Sequence, residues 1–411
     1  MRKSLKVLSL ISLLSVVLSG CLNDLGNQED REASLAPNEV SVQTTDNQIS
    51  DEYYRAVITD GKYNLGISDT DNTNLLGARN MAAFEAGLMR ISKSVFPTNQ
   101  YYLQEGQLID ADTMTAWLSR ESETNGEGLN PELPAEDIKD VESSSESTAP
   151  GDQPEGQESD ESQESQATEA TVVDEQIPPI YLNQIMEKDI MVESDDGFSL
   201  GGVVIGLSMN SLYQYTDSDG TEYQTEISVG EMRERGKQYA NIIVGRLRNT
   251  EQLRSVPIVV GIYASTPDSE NIGGTYLLDG ISREGNNVSD WAEHNEYRVL
   301  LPVRDDQSQN DQYNYFTDFA NDVENFFPNL NGISGDAWYI DNGLAELNIE
   351  IITQFFQETE ITAISQYVND VASRRLPEGV PIEIKISSVS GLEALLVRNA
   401  NSDQFQVTIL N

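Results

Sequence analysis

The stretch Trp338-Tyr339-Ile340-Asp341-Asn342-Gly343-Leu344 decides the fold class. Residues 338–340 and 344–349 are predicted to be two strands. Asn followed by Gly is a strong signal for a tight type I′ turn. The stretch is therefore predicted to be a β-hairpin, which requires antiparallel strands.

Further strand signals lie on both sides of this hairpin. Residues 393–397 and 405–410 predict a second hairpin around a polar turn, and strands are predicted over 203–215, 258–263 and 382–386. Hairpins mixed with helices are typical of an α+β fold with mixed or antiparallel sheets and packed helices. They argue against a doubly wound parallel sheet.

Four segments have apolar residues at helical spacing, and each is predicted to be an amphipathic helix. Pro97 prevents the first helix from continuing, and Ser228 with Glu231 predicts a capped start for the second. We interpret all four apolar stripes as core packing rather than as cofactor grooves. The stripes are Met81, Phe84, Leu88, Ile91 and Val95; Tyr239, Ala240, Ile243, Val244 and Leu247; Tyr313, Phe316, Phe319, Val323 and Phe326; and Ile361, Ile364, Val368 and Val371.

Short motifs recur in the same order in two parts of the chain, which predicts a duplicated body. The first α+β repeat is assigned to residues 51–265 and the second to residues 266–411. Four pairs of segments carry this hypothesis: 54–58 with 297–301, 95–97 with 326–328, 225–228 with 359–362, and 256–258 with 380–382.

The chain is strongly acidic, with a net charge of −44. Residues 121–176 contain 18 Asp and Glu against the single Lys139, together with Ser, Gln, Gly and Pro. Such a segment cannot bury enough apolar surface to offset the entropy of ordering, so it is predicted to be a disordered insert in the first repeat. The net charge also excludes nucleic acid as a partner, since phosphates would repel the chain.

The first residues have the three parts of a lipoprotein signal peptide. Basic residues at positions 2, 3 and 6 precede an apolar run over 7–18, and Leu18-Ser19-Gly20-Cys21 matches the lipobox. Cleavage is predicted between Gly20 and Cys21, after which Cys21 carries diacylglycerol and fatty acids such as palmitate. The predicted partners are the lipoprotein maturation enzymes and the membrane that holds the acyl chains, with the protein on the outer face of the cell membrane. Residues 21–50 then form a flexible tether.

The residues offer no catalytic or metal-binding constellation. Cys21 is the only cysteine and His294 the only histidine, so a Ser/His/Asp triad and a zinc site have few available residues. The acidic residues around 217–219 fit a solvated turn better than a calcium loop, as do those at 69–72. We therefore expect no enzyme activity, no metal and no cofactor.

At the level of longer motifs, the chain resembles the CamS family of Gram-positive lipoproteins, which are known as sex-pheromone precursors. The resemblance covers nearly the whole body after the tether. It is carried by residues 53–55, 84–89, 95–98, 128–131, 205–211, 236–238, Trp291, 295–296, 300–302 and 364–368.

The resemblance implies an extracellular lipoprotein of two related repeats with no established enzyme activity. It also implies that an apolar peptide from the signal peptide can act as a pheromone. In this sequence that peptide is Leu14-Ser15-Val16-Val17-Leu18-Ser19-Gly20, which lacks the phenylalanine of the family's best-known pheromone.

Three functions remain open at this stage. The first is a surface lipoprotein whose body binds an extracellular ligand that the residues do not identify. The second is a transport-associated solute-binding protein, for which a pocket lined by aromatics between the repeats is expected. The third is a cell-wall hydrolase, for which paired acids in a deep cleft are expected.

Overall fold

The computed structural model describes residues 42–45, 48–59, 61–66, 76–134, 177–194, 197–216, 220–303, 311–327, 330–400 and 402–410. The predicted signal peptide, Cys21 and most of the predicted tether lie outside these residues, as do residues 135–176 of the predicted insert. The described residues form an eight-stranded sheet, a six-stranded sheet and a separate two-stranded hairpin. This mixture of helices and sheets confirms the predicted α+β class.

The first ten strands build the larger sheet and the separate hairpin. They are β1 (Val42–Thr44), β2 (Arg55–Thr59), β3 (Tyr102–Glu105), β4 (Leu182–Ser194), β5 (Gly197–Asn210), β6 (Leu212–Thr216), β7 (Glu222–Glu226), β8 (Ile258–Ser265), β9 (Thr275–Ser282) and β10 (Ser289–Glu293). The larger sheet has the order β1-β2-β3-β4-β5-β8-β9-β10, and β6 pairs with β7. The single strand predicted over 203–215 is thus broken at Ser211.

Helices cover both faces of the larger sheet. Helix α1 (Ala78–Lys93) packs Phe84 and Leu88 against one face, while α2 (Ala111–Leu118) and α3 (Val229–Leu247) contribute to the core on the other. The Ser228 side chain accepts the N–H of Glu231 and so caps α3 as predicted. Because both faces are covered, β4, β5 and β8 are buried almost continuously along their centres.

The smaller sheet is built from the C-terminal third of the chain. Its strands, which neighbour one another in chain order, are β11 (Glu296–Leu301), β12 (Leu330–Ile340), β13 (Gly343–Thr353), β14 (Ile382–Ser388), β15 (Gly391–Arg398) and β16 (Gln406–Ile409). Helices α4 (Asn314–Phe326) and α5 (Glu358–Arg375) share one core with the sheet. Buried and less buried residues alternate along β12 and β13, as expected of a sheet with one covered face.

The two sheets have the same succession of strand directions. In the larger sheet β4-β5 is antiparallel, β5-β8 parallel, and β8-β9 and β9-β10 antiparallel; β12 to β16 repeat this pattern. One hydrogen bond also recurs, because Val203 N donates to Pro257 O at 3.0 Å and Leu347 N donates to Pro381 O at 3.2 Å. These features support a duplication, which stays a prediction.

Two predicted boundaries need correction. Strands β9 and β10 pair within the larger sheet, so the two sheets divide at His294 and Asn295 rather than between residues 265 and 266. Residues 121–134, which were assigned to the disordered insert, are described and include the buried Leu129 and Asn130. The Asn130 side chain accepts the backbone N–H groups of Tyr181 and Leu182, each at 2.9 Å, and this fixes the segment.

The predicted hairpin of the smaller sheet is confirmed, with its turn one residue earlier than expected. Ile340 pairs with Gly343, so the two turn residues are Asp341 and Asn342. Their φ angles of 49° and 65° both lie in the left-handed region, as a type I′ turn requires. Asp and Asn tolerate this region better than other residues with a Cβ atom, so Gly343 is free to begin β13.

Candidate binding cleft between the two sheets

The smaller sheet has one face that turns away from its helices. On β12, the buried residues Ile333, Ala337 and Tyr339 belong to the core, so the alternate residues between them point to the opposite face. We call this face, where it lines a cavity, the sheet wall. Its residues are Glu296, Arg298, Leu300, Ser334, Asp336, Trp338, Glu346, Asn348, Glu350, Glu383 and Lys385.

Helix α1 supplies the other side of the same cavity. Its buried face, with Phe84, Leu88 and Ile91, rests on the larger sheet. Its other face, which we call the helix wall, consists of Arg79, Ala82, Ala83, Ala86, Gly87, Arg90 and Lys93.

The helix wall is held close to the larger sheet at Gly87. A Cβ atom there would lie 2.4 Å from the Tyr276 ring, so only glycine permits this approach. The Tyr276 hydroxyl donates to Phe84 O at 2.8 Å, and burial raises the pKa of Tyr276 well above its usual value. Tyr276 therefore stays a neutral donor that fixes α1 on the sheet.

The cleft between these walls has a volume of about 1000 Å³. This is at the upper end of the range of about 300–1,000 Å³ that is typical of ligand pockets. Three alanines and a glycine lie on the helix wall, and the cleft is open to solvent rather than closed. The cleft lies between α1 and the smaller sheet. The solute-binding hypothesis expected a pocket lined by aromatics, and Tyr276 and Trp338 are the aromatic residues among those that line the cleft.

An aromatic side chain flanked by two cations lies where the walls meet. The guanidinium carbons of Arg90 and Arg298 are 5.3 and 5.6 Å from the centre of the Trp338 ring, within the range of cation–π interactions. Arg90 bridges the walls, because it also pairs with Glu296 at 2.5 Å. Arg298 pairs with Asp336 at 3.0 Å.

Three polar atoms of this cluster are buried without a hydrogen-bond partner among the described residues. They are Nε of Arg90, Nε of Arg298 and Oδ1 of Asp336. Buried polar atoms normally have a partner, and because neighbouring atoms screen these three from solvent, a group in the cleft does not reach them without a side-chain movement.

The only histidine lies in the short connection between the sheets. His294 contacts Asp279 Oδ1 through Nε2 at 2.6 Å, and its Nδ1 is 3.5 Å from Glu296 Oε1. The side chain of Glu296 is only 2% exposed and also pairs with Arg90. His294 is therefore part of a network of ionisable groups that ties the larger sheet to the smaller one, and no hydroxyl nucleophile contacts it among the hydrogen bonds of the described residues.

Charge is divided unequally between the two walls. The helix wall contributes the cations Arg79, Arg90 and Lys93 and no carboxylate, while Glu52, which precedes α1 in the chain, also lines the cleft. The sheet wall contributes two cations, of which Lys385 pairs with Glu383 at 2.7 Å, and a larger set of carboxylates. These carboxylates are Glu296, Asp336, Glu346, Glu350 and Glu383.

A pair of acids with a raised pKa lies away from the cleft, in the larger sheet. Burial and the neighbouring Glu187 raise the pKa of Asp189 to about 9, and burial raises the pKa of Glu187. Glu187 accepts the N–H groups of Leu108 and Ile109 at 2.9 Å. Both carboxylates are nearly inaccessible, at 3% and 2% exposed, so they do not face a substrate as the hydrolase hypothesis requires.

The structure does not bring the predicted site residues together, because they lie outside the described part. This applies to Gly20 and Cys21, to the peptide 14–20, and to residues 69–72 and 217–219. Among the described residues, no group of three His, Cys, Asp or Glu is placed to hold a metal ion. In that same part of the chain, no helix has the length and hydropathy needed to cross a membrane.

The cleft was not predicted from the sequence, although the segments 84–89, 295–296 and 300–302 that carry the family resemblance supply some of its residues. Trp338 was assigned to a hairpin strand, and the usable signal was its place in the outward-facing series with Ser334 and Asp336. A large aromatic residue in such a polar series marks an unusual surface. Arg90 had no comparable signal, because its contact with Trp338 joins two distant parts of the chain.

Comparison with known proteins identifies the family. Residues 66–404 match the family model described as CamS sex pheromone cAM373 precursor. The chain belongs to the CamS family. CamS proteins are described as pheromone precursors and are not a known enzyme family. No curated protein matches the chain.

Two solved CamS structures support the fold. The sex pheromone precursor from Lactobacillus salivarius is 30% identical, covers 90% of this chain and 99% of its own length, and superposes with a TM-score of 0.75. The C-terminal domain of the staph-cAM373 precursor from Staphylococcus aureus is 25% identical, covers 82% of this chain and 99% of its own, and has a TM-score of 0.61. The resemblance predicted from the motifs is thereby confirmed.

Proposed function

We propose that this CamS protein is a lipoprotein on the outer face of the cell membrane, whose body binds an extracellular ligand in the cleft between its sheets. The observation that carries the binding function is the cleft itself, with two arginines near the Trp338 ring and an uneven division of charge between its walls. Such a combination of one aromatic surface and a few convergent polar groups is typical of ligand sites.

The membrane attachment rests on the sequence of the lipobox. Leu18-Ser19-Gly20-Cys21 follows a basic start and an apolar run, and Cys21 is the residue that the maturation enzymes would acylate. Two or more acyl chains hold a protein durably, because each buried methylene contributes about 0.8 kcal/mol. In the same step the signal peptide is released, and we propose that it is the source of the apolar peptide 14–20.

Mass spectrometry of the membrane fraction and of the culture medium tests this attachment. We expect diacylated Cys21 at the N-terminus in the membrane, and a peptide that ends at Ser19 or Gly20 in the medium. Cys21→Ala should abolish both, whereas Ser15→Ala, a control outside the lipobox, should leave acylation unchanged. A wild-type protein that is unmodified and retains residues 1–20 would overturn the proposal.

The cleft also fits the second candidate, a transport-associated solute-binding protein, because such proteins hold their ligand between two folded parts. The two candidates differ in the fate of the ligand. If cells that lack the protein lose uptake of a labelled cleft ligand, transport is supported; if binding at the surface is lost and uptake is unchanged, the surface binding function is supported.

A further inference from the structure

We infer that the cleft binds short extended peptides whose acidic side chains point to one side and whose basic side chains point to the other. This inference rests on the proposed function, since it names the ligand class for the same cleft. It is carried by the charges of the two walls and by the small side chains of the helix wall.

The division of charge argues for a ligand that carries both signs. The helix wall presents Arg79 and Lys93, for which no carboxylate partner is found among the described residues. On the sheet wall Glu346 and Glu350 likewise have no ion pair in the described part. A ligand with carboxylates toward α1 and ammonium groups toward the sheet would complement both walls, since charge complementarity fixes orientation and register.

An extended peptide separates its side chains in this way. Successive side chains of a strand point to opposite sides, so a peptide of alternating acidic and basic residues directs all its carboxylates one way and all its ammonium groups the other. A folded or compact ligand of the same composition would mix the two signs.

The helix wall can accommodate a peptide main chain. The small side chains Ala82, Ala83 and Ala86 leave room for a main chain to approach the helix wall.

A glycan is the main competing ligand, because tryptophan also stacks on sugar rings. A neutral glycan would not make use of the opposite charges of the two walls, and the Trp338 ring already has two guanidinium groups near it. The peptide therefore accounts for more of the cleft than the glycan does.

Two peptides of equal composition provide a direct test. The probe is Asp-Lys-Asp-Lys-Asp-Lys and its isomer is Asp-Asp-Asp-Lys-Lys-Lys, both with blocked ends and a fluorescent label. Binding of the peptides to the full-length chain is followed by fluorescence anisotropy at physiological ionic strength, and binding of chitohexaose is measured directly by isothermal titration calorimetry. We expect the alternating peptide to bind at least about tenfold more tightly than the isomer, because only its charges match both walls.

Variants then locate the binding. Arg79→Ala/Lys93→Ala should weaken binding of the alternating peptide by about tenfold or more, since it removes two charge-assisted contacts. Lys62→Ala/Arg254→Ala removes the same charge from exposed positions outside the cleft and should change binding less than about twofold. Circular dichroism of all variants confirms that the fold is kept.

The outcomes separate the inference from the proposed function. Equal binding of both peptides, or no binding of either, overturns the peptide inference. If chitohexaose binds and both peptides do not, the inference falls, while a binding function of the cleft stands with a different ligand. Membrane attachment is judged separately by the mass of the N-terminal Cys21 peptide.

Discussion

The two sheets share their succession of strand directions and differ in how many faces are covered. The larger sheet has α1 on one face and α2 and α3 on the other, and the centre of β5 is buried without interruption. The smaller sheet has α4 and α5 on one face only, and β13 alternates. The face of the smaller sheet that has no helix of its own lines the cleft. The candidate site therefore exists because helices α4 and α5 pack on only one face of this sheet.

The same difference decides how charged side chains are accommodated. Lys188 in the larger sheet is fully buried and contacts Glu85 at 2.6 Å and Glu105 at 2.5 Å. Lys385 in the smaller sheet contacts Glu383 at 2.7 Å, and both of these side chains are well exposed. A buried charge depends on its partners, whereas an exposed one is solvated whether it is paired or not.

The largest expected effect comes from removing the buried cation. Lys188→Ala should lower the free energy of unfolding by about 3–5 kcal/mol, because Glu105 is then left buried without its ion pair. The matched variant Lys385→Ala on the uncovered face should cost only about 0–1 kcal/mol. Urea denaturation of both variants measures the difference. Equal losses would mean that the two faces do not differ in the way their burial indicates.

The sequence predicted the helices and strands better than it predicted which faces of each sheet are packed against helices. The stripe that includes Phe84 and Leu88 gave α1 correctly, and the hairpin signal at Asn342-Gly343 gave β13. Periodicity reports that a helix has one apolar face, but not against which sheet or on which side that face packs. The continuous apolar run in β5 was extended too far, to residue 215, because Ser211 alone does not show where the chain leaves the sheet.

The second-largest effect concerns close packing between a strand and a helix. A Cβ atom at Gly206 in β5 would lie 2.6 Å from the Phe84 ring, whereas one at Gly332 in β12 meets nothing within 4 Å. Gly206→Ala should therefore cost about 1–3 kcal/mol through overpacking. Gly332→Ala should stay within about 0.5 kcal/mol of the wild type. Thermal unfolding of the two variants makes the comparison, and a harmless Gly206→Ala would show that α1 is less closely packed than described.

The candidate site could be predicted only in part, for a physical reason. The lipobox at Cys21 is a local motif that is read in order along the chain. The cleft combines Arg90 with Trp338 and Arg298, which are far apart in sequence and meet only when both sheets have formed. Local spacing cannot show such a meeting, although the outward position of Trp338 could have marked the strand as unusual.

The third prediction concerns a substitution that should stabilise the fold, by an amount that depends on pH. The pKa of Asp189 is raised from 3.8 to about 9, so the folded state holds this proton to a higher pH than the unfolded state does. The stability that Asp189 contributes is therefore complete below pH 3.8 and is lost as the pH rises toward about 9. Asp189→Asn does not titrate and should be more stable than the wild type at pH 8, by on the order of 1 kcal/mol, with a smaller advantage at pH 5.

Thermal unfolding at pH 5 and pH 8 measures the stability advantage of Asp189→Asn over the wild type. An advantage that narrows as the pH rises would contradict the proposed origin of the shift, which is burial beside Glu187. Circular dichroism at both pH values serves as the control for a retained fold.

The smallest effect is expected at the contact between the two sheets. Trp338→Leu keeps an apolar side chain and removes the ring that Arg90 and Arg298 contact, so it should cost about 0.5–1 kcal/mol, while Trp338→Phe should cost less. Because Arg90 belongs to α1 and Trp338 to β12, the loss should fall on the coupling between the sheets rather than on either core. Differential scanning calorimetry should then show a broader transition for Trp338→Leu than for the wild type. A sharp transition at a lower temperature would instead assign Trp338 to the core of the smaller sheet, and the cleft would lose its aromatic surface.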